Sequence, residues 1–285
     1  MIFVIGGTGR MGSALLQRLA ELDAPVRALA HSPASRAKIE GFGAEAVDGD
    51  LDEPDTFEPA LKGCDRVFLL SPAQPNQPER EKAAIDAAAR AGVGHVVALS
   101  VMGASHNATV GFGRWHADID DHLAASGLDY TIVQPSGFMG VHLLPVDTIK
   151  GQGHWYGMTG DGVSGYIDVL DIASVAATVL TTPGHGGKRY ELTGPEAISM
   201  PQAAAQLSAI IGRDVTYIDM PAANFRANLT RVGLPDWLAD SIVGLYQVIR
   251  EGHGATVTNT VEQLTGQPAR SYREFAEANK EAFRP

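Results

Sequence analysis

The sequence predicts an α/β protein: a doubly wound parallel sheet with a smaller C-terminal capping region. Three observations carry this. Short apolar runs rich in strand formers alternate with helical patterns through the first half of the chain. The chain opens on one such run, residues 2–5 (IFVI), followed at once by glycines at 6, 9 and 12. The alternation then breaks after Pro135, where a stretch rich in glycine and aromatic residues, 137–165, begins.

The first run reads as a buried strand, and Met11, Leu15, Leu16, Leu19 and Leu22 recur after it at helical spacing. Further strands are expected at 25–30, within 44–50, and at 66–71, 95–100 and 130–135, with helices over 54–61, 78–91 and 114–125. Residues 166–180 return to regular structure, and Asp171 is expected to N-cap the helix there. A strand at 189–194, a helix over 200–212 closing at Gly212 and a strand at 214–221 follow. The tail from Ala222 reads as mostly helical, including 237–250.

A G-x-x-G-x-x-G run between a strand and a helix suits a phosphate. Glycine lets the backbone turn sharply and come close to a ligand. The N–H groups and positive dipole end of the following helix favour an anion. Gly6, Thr8, Gly9, Arg10, Met11 and Gly12 are therefore candidates for holding the pyrophosphate of a dinucleotide on a Rossmann sheet. On this reading residues 1–136 are the NAD(P)-binding core, completed by about 164–194, while 137–163 and 195–285 form a substrate-binding cap.

Enzymes that prefer NAD place an acid at the end of strand two for the ribose 2′-OH. Here that strand ends Ala30-His31-Ser32, with no carboxylate. His31, Ser32, Arg36, Lys38 and Arg10 are donors for a 2′-phosphate, although Arg36 and Lys38 also fit a solvated helix face. NADP(H) is the expected cofactor, with NAD(H) as the alternative. Asp50 and Leu51 fit the adenine edge or a plain turn. Leu70, Ser71 and Pro72 follow strand four beside the ribose and pyrophosphate. Pro135, Ser136 and Phe138 follow strand six near the nicotinamide. Met102, Phe112, Trp115, Met139, His142, Trp155 and Tyr156 fit an apolar pocket wall for a flat substrate, or ordinary core.

Bulk properties narrow the partners. A net charge of −11 disfavours nucleic acid and anionic membranes. One cysteine, Cys64, leaves no intrachain disulfide and fits a reducing compartment. No apolar run approaches the roughly 20 residues that span a bilayer, and no cleavable signal precedes strand one. A cytoplasmic protein acting on a small molecule, as monomer or homodimer, is expected. The histidines show no H-x-x-x-H pair or cluster, so no metal is expected.

The motifs VIGGTGRMG, GDLDEPDTFEPALKGCDRVFLLSP, GRWHADIDDHLAASGLDYTIVQPSGFM and YIDVLDIA together resemble the NmrA-like atypical short-chain dehydrogenases over nearly the whole chain. That group includes NADPH-dependent quinone oxidoreductases, triphenylmethane reductase, the plant phenylcoumaran and isoflavone reductases and the festuclavine dehydrogenases. It also includes the non-catalytic regulator NmrA. The resemblance implies NADPH-dependent hydride delivery to an electrophilic conjugated or aromatic acceptor, with a dinucleotide-sensing regulator and a structural subunit as the other readings. The ordinary short-chain dehydrogenase uses Tyr-x-x-x-Lys as its acid. Four residues after Tyr130, Tyr156, Tyr166, Tyr190, Tyr217, Tyr246 and Tyr272 stand Gln134, Gly160, Leu170, Gly194, Pro221, Arg250 and Ala276, none of them lysine. The resemblance places His116 where the plant reductases carry a catalytic lysine, and Ser100 at the catalytic serine position. A histidine can donate a proton or a hydrogen bond near neutral pH; a structural histidine and a turn-capping serine are the plainer readings.

Overall fold

The computed structural model describes residues 1–284. In chain order the strands are β1 (Ile2–Val4), β2 (Val26–Ala30), β3 (Glu45–Asp48), β4 (Arg66–Leu69), β5 (His95–Leu99), β6 (Asp129–Pro135), β7 (His154–Gly157), β8 (Val163–Ser164), β9 (Lys188–Leu192), β10 (Ile198–Ser199) and β11 (Thr216–Asp219). The helices are α1 (Arg10–Glu21), α2 (Pro33–Glu40), α3 (Glu58–Leu61), α4 (Gln77–Ala91), α5 (Gly111–Ala125), α6 (Val146–Gln152), α7 (Val169–Thr181), α8 (Met200–Ile211), α9 (Ala222–Arg231), α10 (Asp236–Arg250), α11 (Thr260–Thr265), α12 (Tyr272–Ala278) and α13 (Lys280–Phe283). The chain divides into two compact units. One holds residues 1–108, 112–135 and 169–191; the other holds 109–111, 136–168 and 192–284.

The first unit is built on a seven-stranded sheet of order β3-β2-β1-β4-β5-β6-β9. The six strands β1 to β6 pair in parallel. Strands β1, β2, β4, β5 and β6 are largely buried apolar runs, as parallel strands with helical crossovers are, while the edge strand β3 is half-exposed. Strand order reverses beside β1, which makes the carboxyl ends of β1 and β4 the switch point where ligands bind open sheets. Alternate side chains serve the two faces. Phe3, Ile5, Val67, Leu69, Val96, Ala98 and Ile132 join Leu61, Ile85 and Ile119 in one core. On α1, Leu15, Leu16 and Leu19 form the apolar stripe, and α1 packs against α7. The guanidinium of Arg66, at the start of β4, donates to the carbonyls of Val179 and Thr182 at 2.7 and 2.8 Å, satisfying the end of α7.

Two local readings change. Residues 54–61 form no single helix: a 3₁₀ turn over Pro54–Thr56 is followed by the short α3. Pro59 lacks an N–H and its ring crowds the preceding turn, so the helix cannot run through it. Asp171 is not an N-cap, because α7 starts at Val169 and Asp171 lies in its first turn, buried. A carboxylate there still faces the positive end of the helix.

In the second unit β7 pairs in parallel with β11, and β8 antiparallel with β10. Its core gathers Met139, Trp155, Tyr166, Met200, Leu207, Tyr272, Phe275 and Phe283. Ser199 caps α8 in a capping box with Gln202. Among the described residues no helix is long and apolar enough to cross a membrane.

Candidate active site

Three of the glycines at the turn from β1 into α1 answer to different needs. Gly6 sits at φ +84°, and a Cβ on it would collide with the Leu70 carbonyl oxygen. A Cβ on Gly12 would collide with the Gly6 carbonyl oxygen. Both are demanded by the packing of the loop itself. Gly9 differs: a Cβ there would meet nothing within 4 Å. It precedes the first turn of α1, which carries no acidic residue, and no side chain caps the helix. The first N–H groups of a helix lack intrahelical partners, so backbone N–H groups and the positive end of the helix dipole face open space at Gly9, as an anion site requires. The residues present thus fit a dinucleotide pyrophosphate.

Around the cradle, the Lys38 ammonium donates to the Thr8 carbonyl at 2.7 Å, and His31 and Arg10 are exposed. Two expected 2′-phosphate donors are otherwise committed. Arg36 pairs with Asp48 at 2.7 Å and Glu40 at 3.2 Å and donates to the Ala46 carbonyl, because it projects along α2 toward β3. Ser32 caps α2 in a capping box with Ser35. Of the adenine-edge pair, Asp50 accepts the Asp52 N–H in a tight turn and Leu51 belongs to the core.

At the carboxyl ends of β4 and β5 stand two buried serines, each tied to a buried acid on the following helix. Ser71 donates through N–H and Oγ to Glu81 Oε1 at 3.2 and 2.7 Å, and Gln77 Nε2 donates to the same oxygen at 3.0 Å. Ser100 Oγ donates to Asp120 Oδ2 at 3.1 Å. That oxygen also accepts from Arg189 Nη1 at 2.8 Å and from Gln134 Nε2 at 3.5 Å. Burial pushes Glu81 up to about 7 and Asp120 up to about 6, against the pull of their hydrogen bonds. The sequence reading missed both acids. Their signal was position: Glu81 shares the buried stripe of α4 with Ala84, Ile85 and Ala88, and Asp120 that of α5 with Ile119 and Leu123.

His116 lies one turn before Asp120 on α5, 8% exposed, with Nδ1 unpartnered. Burial pulls it down to about 4, so it is neutral at pH 7. Desolvation disfavours the charged form, so of the two expected roles, proton donor or hydrogen-bonding group, the neutral ring suits the hydrogen bond. Phe112 and Trp115, half-buried on the same helix, meet edge to face at 5.6 Å, and Met102 is half-buried, its N–H on the Pro135 carbonyl at 2.9 Å.

In the second unit the expected pocket residues separate. Ser136 is fastened by its hydroxyl to the Gly165 carbonyl at 2.5 Å. Phe138 is half-buried and bridges to Ile167. Met139 and Trp155 are core residues, 1% and 2% exposed, and so are not open walls. His142 is enclosed by the rings of Trp155, Tyr166 and Tyr272 at 4.5–5.4 Å, both nitrogens unpartnered. Tyr156 is half-buried and bonds His154 and Gln152. Among the described residues no three His, Cys, Asp or Glu side chains are placed to hold a metal ion.

Such a sheet and glycine cradle define a dinucleotide-binding protein, and comparison with known proteins supplies the family. The chain belongs to the NAD(P)H-binding family, which matches residues 6–183. It is 39% identical over 283 residues to the NAD(P)H azoreductase of Xenophilus azovorans, covering 99% of each chain. It is 35% identical, over the full length of both, to a Streptomyces griseus reductase of (4-alkanoyl-5-oxo-2,5-dihydrofuran-3-yl)methyl phosphate. The structure of the Escherichia coli NADPH-dependent quinone oxidoreductase in complex with NADPH superposes with a TM-score of 0.90 at 28% identity, covering 98% of this chain and 99% of that one. The resemblance read from the motifs is borne out.

Gly9→Val places a branched side chain in open space. The variant should fold with a near-normal melting temperature and lose dinucleotide binding in a fluorescence titration. Gly12→Ala should instead destabilise the protein by about 1–3 kcal/mol or more in urea unfolding, as overpacking does. Glu81 gives a pH signature. Its folded value lies above the unfolded one, so the stability it contributes is complete below about pH 4.5 and fades as pH rises through about 7. Glu81→Gln should therefore gain on the wild type between pH 6 and 8, by on the order of 2–3 kcal/mol. A difference that stays flat with pH would mean Glu81 is not buried as described.

Proposed function

We propose that the protein is an NADPH-dependent reductase that delivers hydride to an electrophilic conjugated or aromatic acceptor, such as a quinone, an iminium or an azo or other dye. The observation that carries this is the alignment of the glycine cradle, Ser71, Ser100 and Pro135 along the carboxyl ends of β1, β4, β5 and β6, four adjacent strands. The activities named for the azoreductase and quinone oxidoreductase relatives support the same reading.

Gly9 and the start of α1 would hold the pyrophosphate, Ser71 the neighbouring turn, and His31, Lys38 and Arg10 a 2′-phosphate. When bound, the reduced nicotinamide supplies the hydride. The chain's task is then to orient the acceptor, keep water out and provide any proton. With no Tyr-x-x-x-Lys pair, acceptors that need little proton donation at the hydride step suit it best. Ser100 and the neutral His116 ring are the hydrogen-bonding groups for the acceptor, beside Met102, Phe112 and Trp115. Residues 137–163 and 195–285 are read as the substrate-binding cap. The enzyme works on a small molecule in the cytoplasm, as monomer or homodimer.

NADPH oxidation with a panel of quinones and dyes tests the function; tight cofactor binding with no turnover would support a sensor instead. NADPH should bind roughly tenfold to a hundredfold more tightly than NADH, since a charged hydrogen bond to the 2′-phosphate is worth about 1.5–3 kcal/mol. Equal titration curves would remove His31, Lys38 and Arg10 from that role. His116→Ala should lower quinone turnover about tenfold, the scale of one neutral hydrogen bond, by the same factor at pH 6 and pH 8. A loss that varies with pH would restore the charged-acid role.

A further inference from the structure

The Ser100 cluster carries more than a hydrogen bond to substrate. Asp120 is 1% exposed. One of its oxygens takes Ser100, Gln134 and Arg189, and the other, Oδ1, is buried without a partner. Arg189 is the point where the cluster meets water, its side chain 40% exposed. Ser100 stands at the end of β5, next to the β4 end where Ser71 is tied to Glu81, whose Oε2 is likewise unpartnered. So two buried acids sit behind adjacent strand ends, each in contact with a buried serine hydroxyl at that end.

We propose that Asp120 is a positioning residue that keeps Ser100 supplied with a proton, making the Ser100 hydroxyl the proton donor to the reduced acceptor. This rests on the reductase reading. Hydride addition leaves negative charge on an acceptor oxygen or nitrogen. The Ser100 O–H bond breaks, and its proton forms the new O–H or N–H bond. The Ser100 oxygen takes the proton of the Asp120 carboxyl: in the protonated form the 3.1 Å bond runs from Asp120 Oδ2 to Ser100 Oγ, which frees the Ser100 proton for the acceptor. Asp120 remains as a carboxylate, held by Arg189 and by the Gln134 amide, and a proton from water restores it. Both electrons come from the reduced nicotinamide cofactor, and one proton is consumed.

The groups around Asp120 allow this. Ser100 comes from β5, Gln134 from β6, Arg189 from β9 and Glu81 from α4, with His116 and Asp121 on its own helix. Burial first, then Asp121, favour the protonated form, while Arg189 and Ser100 oppose it. Asp120 in turn adds to the burial that raises Glu81. His116 is neutral throughout the working range and does not compete. Replacing Tyr-x-x-x-Lys, the fold thus has an acid of its own, one residue removed from the acceptor.

Asp120→Asn tests it, because the amide keeps the shape and a hydrogen bond to Ser100 but holds no transferable proton. Wild-type quinone turnover should fall as pH rises from 6 to 8. In Asp120→Asn it should drop roughly 10²-fold at pH 6, within the range of general acid catalysis, and lose that pH dependence, with the NADPH dissociation constant unchanged. The loss should be confined to the quinone and largely spare a cationic dye that needs hydride alone. Without cofactor, carbon-13 NMR should show an aspartate carboxyl titrating near pH 6 in the wild type and absent from the variant. Arg189→Gln, at the surface, provides a second route: it should move the turnover inflection to higher pH. An unaltered pH profile in Asp120→Asn, equal losses on quinone and dye, or an unmoved inflection in Arg189→Gln would each overturn the proposal. Wild-type protein that turns over neither acceptor would overturn the reductase reading and this proposal with it, whereas the other results leave that reading standing.

Discussion

The constraint on which the first unit turns is the passage of the first turn of α1 over the Gly6 carbonyl. There is no room for a side chain on Gly12, and Gly6 itself is pinned against Leu70 in a left-handed conformation. This contact fixes where α1 leaves the sheet and hence where its apolar stripe meets α7. It also aims the start of α1 across the carboxyl ends of the neighbouring strands. The open space at Gly9 is a by-product of that geometry: packing brings the helix end to the sheet edge and leaves the space in front of it empty of side chains.

Much of this was legible beforehand. Apolar runs of four to six residues name the central sheet strands because a strand buried on both faces has no polar face to show, whereas the edge strands β3 and β9 carry charged residues. The glycine loop was readable because strand, glycines and helix occur in one short stretch. What the sequence hid is of two kinds. Side-chain commitments cannot be seen from residue type: Arg36 looks like a phosphate ligand until Asp48 and Glu40 claim it, and Ser32 until α2 needs a cap. Trp155 and Met139 likewise suit a pocket or a core equally well by composition, and only burial separates them. The other kind is the buried acid. Glu81 and Asp120 resemble surface carboxylates in a chain of net charge −11, and only their place on the apolar stripe of a helix betrays them.

Those buried groups set two opposed responses to acid. Glu81 and Asp120 gain protons comfortably as pH falls, while His116, and His142 at about 3, resist protonation because their surroundings exclude charge. Histidine stability is present above about pH 6.5 and is lost toward pH 4. Carboxylate stability is lost in the other direction, through pH 6–7. Both follow from desolvation acting on opposite signs of charge.

The path of the chain through the first unit has its own consequence. The sheet is begun at residue 2 and finished by α7 and β9, after residues 136–168 have been spent elsewhere. The partner of the α1 stripe is therefore far away in sequence, as is the Arg66 anchor for α7. During synthesis, Leu15, Leu16 and Leu19 wait uncovered while well over a hundred further residues emerge. Long-range closure of this kind slows folding and prolongs the life of partly exposed forms. In a nascent chain the sheet of the first unit therefore cannot be completed until about residue 192 has left the ribosome.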